Sequence, residues 1–94
     1  MSFEWDETKN ISNQKKHQIS FETAKLVFED PHHLSRQDRH KDGEERWQTI
    51  GCINGIAVLL VAHTVRNLSG DEIIRIISAR KATKTERRYY EQAE

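Results

Sequence analysis

The dipeptide Asn54-Gly55 constrains the fold of this chain more than any other feature, because it separates two apolar segments. Asn-Gly is favoured at the centre of a two-residue type I′ turn, where both residues need a positive φ. The segments Arg46 to Ile53 and Ile56 to Val65 are therefore predicted to form a β-hairpin. Such a turn also fixes the register, and the expected opposite pairs are Ile53 with Ile56, Ile50 with Leu59, and Arg46 with His63.

A third strand, from Ile73 to Ala79, follows a second turn from Asn67 to Gly70 and extends the hairpin into a meander. The length of that turn decides which residue of the third strand lies opposite His63 and so forms a cross-strand row with Arg46 and His63. Five loop residues place Arg75 in the row, and four place Ile74 there instead.

Arg80 ends this apolar strand, where we expect it to point with Ser78 and Ile76. It lies about five residues, or ~17 Å, from the row of His63. A single compact site that contains both residues is therefore not assured.

The N-terminal part predicts a short strand and two helices. Phe3-Glu4-Trp5 alternates, and Asp6 is a candidate N-cap for a helix from Glu7 to about His17. Apart from Ile11 this helix has almost no apolar surface, so we expect it on the outside. A second helix begins at Ser20, carries apolar residues at helical spacing and stops at Pro31.

Two further segments complete the prediction. The polar stretch from His32 to Gly43 is interpreted as a loop that contains a short edge strand at most. Thr83 and Glu86 form a capping box for a final helix from Lys84 to about Gln92. The fold class is therefore α+β: a small antiparallel sheet, made of a three-strand meander plus an N-terminal or edge strand, with two N-terminal helices on one side and a short C-terminal helix.

Length and composition set the broad class. The 94 residues are expected to form one domain, residues 1–94, with a modest core, because only 35% of them are hydrophobic. The single cysteine, Cys52, is interpreted as a small apolar strand residue. The chain shows neither an apolar run long enough to cross a membrane nor an N-terminal signal pattern, so we expect a cytoplasmic location.

Charge is distributed unevenly along this neutral chain. Between Arg75 and Arg88 there are six cations and one anion, a local charge of 6 − 1 = +5. Such a cluster suits a phosphate group, since guanidinium groups offer fixed forks to phosphate oxygens. Exposed helix cations are equally typical of a solvated surface, which is the simpler interpretation for Arg87 and Arg88. The candidate substrate contacts are Lys41, Lys81, Lys84, Arg87 and Arg88.

The candidate proton-transfer groups are two histidines. His40 lies in a charged stretch beside a glycine, and His63 lies on an apolar strand, where a structural role is the more common one. A zinc site formed by His32, His33 and His40 is disfavoured, because no thiolate and no paired ligand spacing accompany them. We expect neither a metal site nor a cofactor.

Several motifs together resemble one family. They are Gly43-Glu44-Glu45-Arg46-Trp47, the run from Arg75 to Ala82, Phe3-Glu4-Trp5-Asp6, Asn10, Lys16-His17, and Glu86-Arg87-Arg88 with Tyr90-Glu91. This pattern is similar to that of the BrnT toxins of bacterial type II toxin-antitoxin systems. The resemblance implies a RelE-like fold, metal-independent RNA cleavage, inhibition of translation, and a BrnA-like antitoxin through which operator DNA is bound indirectly.

Carried over by motif, the resemblance implies catalytic roles for His40, Arg46 and Arg80, while His63 and Arg75 are added from the predicted register. The leading hypothesis is attack of an RNA 2′-hydroxyl on the neighbouring phosphorus, with arginines stabilising the charge. The alternative is a non-catalytic module that acts by binding a protein partner.

Overall fold

The computed structural model describes residues 1–41 and 43–93, without the side chains of residues 39–41. It contains five strands, three α-helices and one 3-10 helix in chain order. These are β1 (Ser2–Trp5), α1 (Glu7–His17), α2 (Phe21–Ala24), the 3-10 helix (Lys25–Glu29), β2 (Leu34–Lys41), β3 (Glu44–Ile53), β4 (Ala57–Leu68), β5 (Asp71–Lys81) and α3 (Lys84–Gln92). No described helix has the length and apolar character of a membrane-spanning segment.

All five strands form one sheet in the order β1-β5-β4-β3-β2. Four of them are antiparallel neighbours, but β1 runs parallel to β5, so the prediction of a purely antiparallel sheet was wrong. The predicted strand count was also too low. The stretch interpreted mainly as a loop is the eight-residue edge strand β2, which pairs with β3 from Leu34 opposite Ile50. Its mostly exposed, polar residues lack the apolar alternation by which strands are recognised.

The helices divide between the two faces of the sheet. On one face, α1, α2 and the 3-10 helix cover the main core, to which Phe21, Val27, Val61 and Ile76 contribute. On the other face α3 packs through Tyr90 against a smaller apolar cluster. The predicted bounds and caps of α1 and α3 are confirmed, whereas the second predicted helix is an α-helical turn that continues as a 3-10 helix.

Two buried asparagines attach α1 to the rest of the protein, since the helix has so few apolar residues. Asn13 is buried and uses its amide on both backbone groups of Ala79, at 2.9 and 3.2 Å. Asn10 is also buried, and its oxygen accepts a hydrogen bond from the Phe21 backbone N–H at 2.8 Å. Ile11 instead remains 49% exposed on the outer side of the helix.

The first hairpin turn forms as predicted, but the predicted register was wrong by one residue. Asn54 and Gly55 both have positive φ, and the Ile56 N–H donates to the Ile53 carbonyl at 3.0 Å. Ile56 then stays outside the ladder, and Ile53 lies opposite Ala57. His63 is consequently opposite Trp47 rather than Arg46, and because neighbours along a strand alternate, Arg46 and His63 face opposite sides.

The second turn contains only Ser69 and Gly70, between Leu68 and Asp71. Both predicted alternatives for the His63 row were therefore wrong, since Ile76 takes that position.

A β-bulge shifts the pairing of β5 with β4 beyond that point. Ala62 is opposite Ser78 although His63 is opposite Ile76, which leaves Ile77 as an extra residue. Arg80 was predicted to point with both Ser78 and Ile76. The bulge reverses the alternation between them, so Arg80 shares a face with Ser78, as predicted, whereas the prediction for Ile76 was wrong. The bulge also places Arg75 and Arg80, five residues apart, on the same face.

Candidate functional site

Among the side chains that the structure describes, the sheet face opposite α1 and α2 carries five arginines from four strands, and we call it the arginine face. They are Arg36 on β2, Arg46 on β3, Arg66 on β4, and Arg75 and Arg80 on β5. On β3, β4 and β5, alternate residues such as Ile53, Val61 and Ile74 lie in the core covered by α1 and α2, so the arginines between them face the other side. On β2, Arg36 lies opposite Gln48 of β3 and shares its face. Cations converge here although the whole chain is neutral.

One end of the arginine face is organised by Glu4 of β1. Its carboxylate accepts hydrogen bonds from Arg75 Nη1 at 2.9 Å and from Arg66 Nη2 at 2.8 Å. These bonds, that from Arg75 foremost, hold the pKa of Glu4 below its usual range. A guanidinium has five N–H donors, so single bonds to Glu4 leave both arginines able to bind another anion. Both side chains remain partly exposed.

Arg46 lies two strands away from Arg75 in the same region. Thr64 is opposite Arg75, and the β3–β4 register continued by one residue places Arg46 beside Thr64. Two strand spacings separate Arg46 from Arg75 at the backbone, or about 10 Å, which two long side chains can bridge with one phosphate between them. The Nε of Arg46 is buried and has no hydrogen-bond partner among the residues that the structure describes.

Arg80 lies at the opposite end and is held by α3. Its Nη1 and Nη2 donate to the two carboxylate oxygens of Glu86, at 2.7 and 2.9 Å, as a bidentate pair. Glu86 also accepts from the Thr83 backbone N–H, which completes the predicted capping box. The bonds from Arg80, the largest cause, lower the pKa of Glu86 to about 2. Arg80 thus fastens β5 to α3 in this structure.

Between α3 and the sheet lies a groove of about 240 Å³, which we call the α3 groove. Its lining combines aliphatic residues at the base with polar groups and an aromatic ring at the rim: Leu34, Ser35, Arg36, Gln48, Ile50, Leu60, Thr85, Glu86 and Tyr89. The Arg36 Nε and Nη2 donate to Gln48 Oε1 at 3.2 and 3.1 Å. The Cζ of Arg36 also lies 5.9 Å from the centre of the Tyr89 ring.

His63 lies apart from the arginine face. It is 2% exposed, on the helix-covered side, and its Nε2 is 2.7 Å from Thr49 Oγ1. Its ring packs edge-on against Phe28. Burial lowers the pKa of His63 to about 4. The structure therefore places Arg46 and Arg75 on one face of the sheet, two strands apart, and His63 on the opposite face.

The other predicted site residues are placed as follows. His40 and Lys41 pair through their backbones with Glu45 and Glu44, and their side chains lie outside the described residues. Lys81, Lys84, Arg87 and Arg88 are exposed beside or on α3. No group of three metal-ligating side chains converges among the described side chains, those of residues 1–38 and 43–93.

Sequence reasoning missed Glu4, Arg36, Gln48 and Arg66 as members of this surface. Arg36 was missed because β2 was taken for a loop. Glu4 could have been found from the alternation of Phe3-Glu4-Trp5, which separates it from two core aromatics.

Comparison with known proteins places these features in a family. The family model described as "Ribonuclease toxin, BrnT, of type II toxin-antitoxin system" matches residues 5–86. No curated protein sequence matches the chain significantly. Among solved structures, the 1.1 Å crystal structure of the Brucella abortus ribonuclease toxin BrnT is similar, with a TM-score of 0.62 and 23% sequence identity. The match covers 89% of this chain and 99% of the Brucella chain. This chain belongs to the BrnT family of toxins of type II toxin-antitoxin systems.

Proposed function

We propose that this protein is an endoribonuclease that needs no metal ion, inhibits translation by cutting RNA in the cytoplasm, and is neutralised by a BrnA-like antitoxin. The observation that carries the proposal is the arrangement of Arg46 and Arg75 two strands apart on the arginine face. Family membership supports the same reaction class. RNA supplies the phosphate that such a surface suits.

In the proposed reaction, a base removes the proton of a ribose 2′-hydroxyl, and the oxygen attacks the adjacent phosphorus. The bond from phosphorus to the 5′-oxygen breaks, and an acid protonates that oxygen, which leaves a 2′,3′-cyclic phosphate. Arg46 and Arg75 stabilise the negative charge that grows on the phosphoryl oxygens.

His40 is our candidate for the proton transfers, on the basis of its family motif and its ordinary histidine chemistry. His63 is less suited, because it is buried on the other face and its pKa is lowered. Arg80 is proposed as a positioning residue that keeps α3 beside the site through Glu86.

Induced expression of single variants tests this proposal. Arg46→Ala and Arg75→Ala should each relieve growth arrest and lower RNA cleavage by the purified protein by on the order of 10²-fold, as for the loss of one oxyanion donor. Cleavage by the parent should persist in excess chelator. Lys9→Ala is a matched control, because it removes an exposed charge from α1 on the opposite face. If both arginine variants cleaved RNA as fast as the parent protein, the proposed site would be wrong.

One observation favours the alternative of a non-catalytic binding module. Arg66 and Arg75 are both engaged with Glu4, and Arg80 is engaged with Glu86, so internal carboxylates already partly neutralise this surface. The two functions separate in one assay with free and ribosome-bound RNA. If the purified parent cuts neither, the binding function is favoured.

A further inference from the structure

The α3 groove has the chemistry of a site for a single unstacked nucleobase. Its base is aliphatic, formed by Leu34, Ile50 and Leu60. Its rim offers a partly exposed aromatic ring, Tyr89, which is 49% exposed. Aromatic rings and arginine planes are the surfaces on which proteins stack the bases of single-stranded RNA. We infer that the α3 groove holds one base of the RNA substrate against Tyr89, beside the phosphate site.

Polar groups at the rim favour a base over an aliphatic side chain. The amide of Gln48 has both a donor and an acceptor, and a base edge presents both kinds of group. Gln48 Oε1 is bonded to Arg36, which orients the amide, while its Nε2 makes only a long contact of 3.4 Å with Asp38. An aliphatic side chain of a protein partner would cover these polar groups without bonding to them.

The position of the groove suits an RNA strand that crosses the arginine face. Gln48 follows Arg46 by two residues on β3, on the same face, so the two Cα atoms are about 7 Å apart. A phosphate held at Arg46 would thus have a neighbouring nucleotide close to the groove. The surrounding arginines complement the charge of a polyanion. The inference rests on the proposed function, because it assigns a base to the strand whose phosphate the arginines hold.

A nucleic-acid strand that the protein cannot cleave allows binding to be measured separately from cleavage. The probe is a short oligodeoxynucleotide, which lacks the attacking 2′-hydroxyl. It is compared with a series of the same oligodeoxynucleotide in which one position at a time is made abasic. We expect one abasic position to weaken binding to the parent protein by about 10-fold, the scale of one stacked base. Tyr89→Ala should weaken binding of the intact strand to a similar extent and should be insensitive to the abasic change at that position.

Two variants control for other effects. Tyr89→Phe keeps the ring and should bind as the parent does. Ile11→Ala removes a side chain that is also 49% exposed, but on α1 across the sheet, and should leave the abasic profile unchanged. Thermal unfolding of each variant shows that it is folded.

Three outcomes would overturn the inference. Tyr89→Ala could bind the intact strand as tightly as the parent, or could stay sensitive to the same abasic position. It could also weaken binding of the antitoxin alone, which would make the groove a protein-docking surface. If the parent cleaves RNA in any of these cases, only the base site fails. If the parent neither binds nor cleaves, the proposed function fails with it.

Discussion

At the scale of single residues, buried polar side chains hold this small core together. Thr49 contacts both Ser35 Oγ and His63 Nε2 at 2.7 Å, so a chain of polar contacts crosses β2, β3 and β4 beneath the helices. A buried polar group without a partner costs about 1–3 kcal/mol. The contacts of His63 with Thr49 Oγ1 and with the Thr64 carbonyl oxygen offset this cost. His63 therefore links β4 to β3 through its hydrogen bond with Thr49.

The lowered pKa of His63 predicts how stability depends on pH. Its pKa is about 4 in the folded protein and 6.5 ordinarily, so between these values the unfolded chain binds more protons. Stability should therefore fall as the pH decreases from about 6.5 to 4, by at most ~1.4 kcal/mol per pH unit from this residue.

Urea unfolding of the parent and of His63→Gln across this range checks the prediction. The stability difference between the two proteins should shift in favour of the variant as the pH falls. Parallel pH profiles would show that His63 does not titrate in this way. A folded variant should also retain RNA cleavage, whereas loss of cleavage would restore His63 as a candidate acid or base.

At the scale of elements, α3 is fastened at both ends. The Arg80–Glu86 pair holds its first turn, and the Tyr90 hydroxyl donates to Asp30 near its end. Asp30 Oδ2 also accepts from the backbone N–H of Cys52, at 2.7 Å, which links α3 to β3. The α3 groove depends on these ties, because α3 forms one of its walls.

Glu86→Gln tests the first tie and leaves the helix cap in place. Glutamine also completes a capping box, so the main loss is the charged pair with Arg80. We expect the variant to lose about 1–2 kcal/mol of unfolding free energy at pH 7.

Because the pKa of Glu86 is lowered from 4.5 to about 2, the contribution of the pair is complete above about pH 4.5 and is lost as the pH falls through about 2. Urea titrations at pH 7 and near pH 2 should show the two proteins converging at acid pH. An equal deficit at both values would mean that the pair is not what stabilises α3.

At the scale of the whole molecule, a chain of zero formal net charge has a cluster of arginines on one sheet face. The attraction of these arginines for a phosphate strand is therefore local. For a single strand, the slope of log K against log salt is about −0.7 for each phosphate contact. Two or three contacts on the arginine face therefore predict a shallow slope, of about −1.4 to −2.1.

Arg46→Ala should make this slope shallower by about 0.7, since it removes one phosphate contact. The measurement is equilibrium binding of the uncleavable strand over a series of salt concentrations. Lys9→Ala should leave the slope unchanged, because Lys9 lies on α1 across the sheet. An unchanged slope for Arg46→Ala would remove Arg46 from the phosphate site.

Much of the fold was predictable, since local chemistry determines it. Asp6 and Thr83 mark the starts of α1 and α3 because their side chains bond to nearby backbone N–H groups. The extra residues Ile56 and Ile77 were not predictable, as they depend on which strand pairs with which. Ile56 sets which residue of β4 lies opposite Arg46, and Ile77 places Arg75 and Arg80 on the same face. The composition of the arginine face therefore became clear only from the structure.

The pairing of β1 with β5 also has a consequence in time. Glu4 and Arg75, which meet on the arginine face, are 71 residues apart in the chain. At ribosomal rates of about 5–20 residues per second, Glu4 waits roughly 4 to 14 s before Arg75 is made. Such long-range closure is intrinsically slow. We therefore expect a nascent chain to lack the assembled site until the last strand has emerged, so a cell has an interval in which the toxin is present but incomplete.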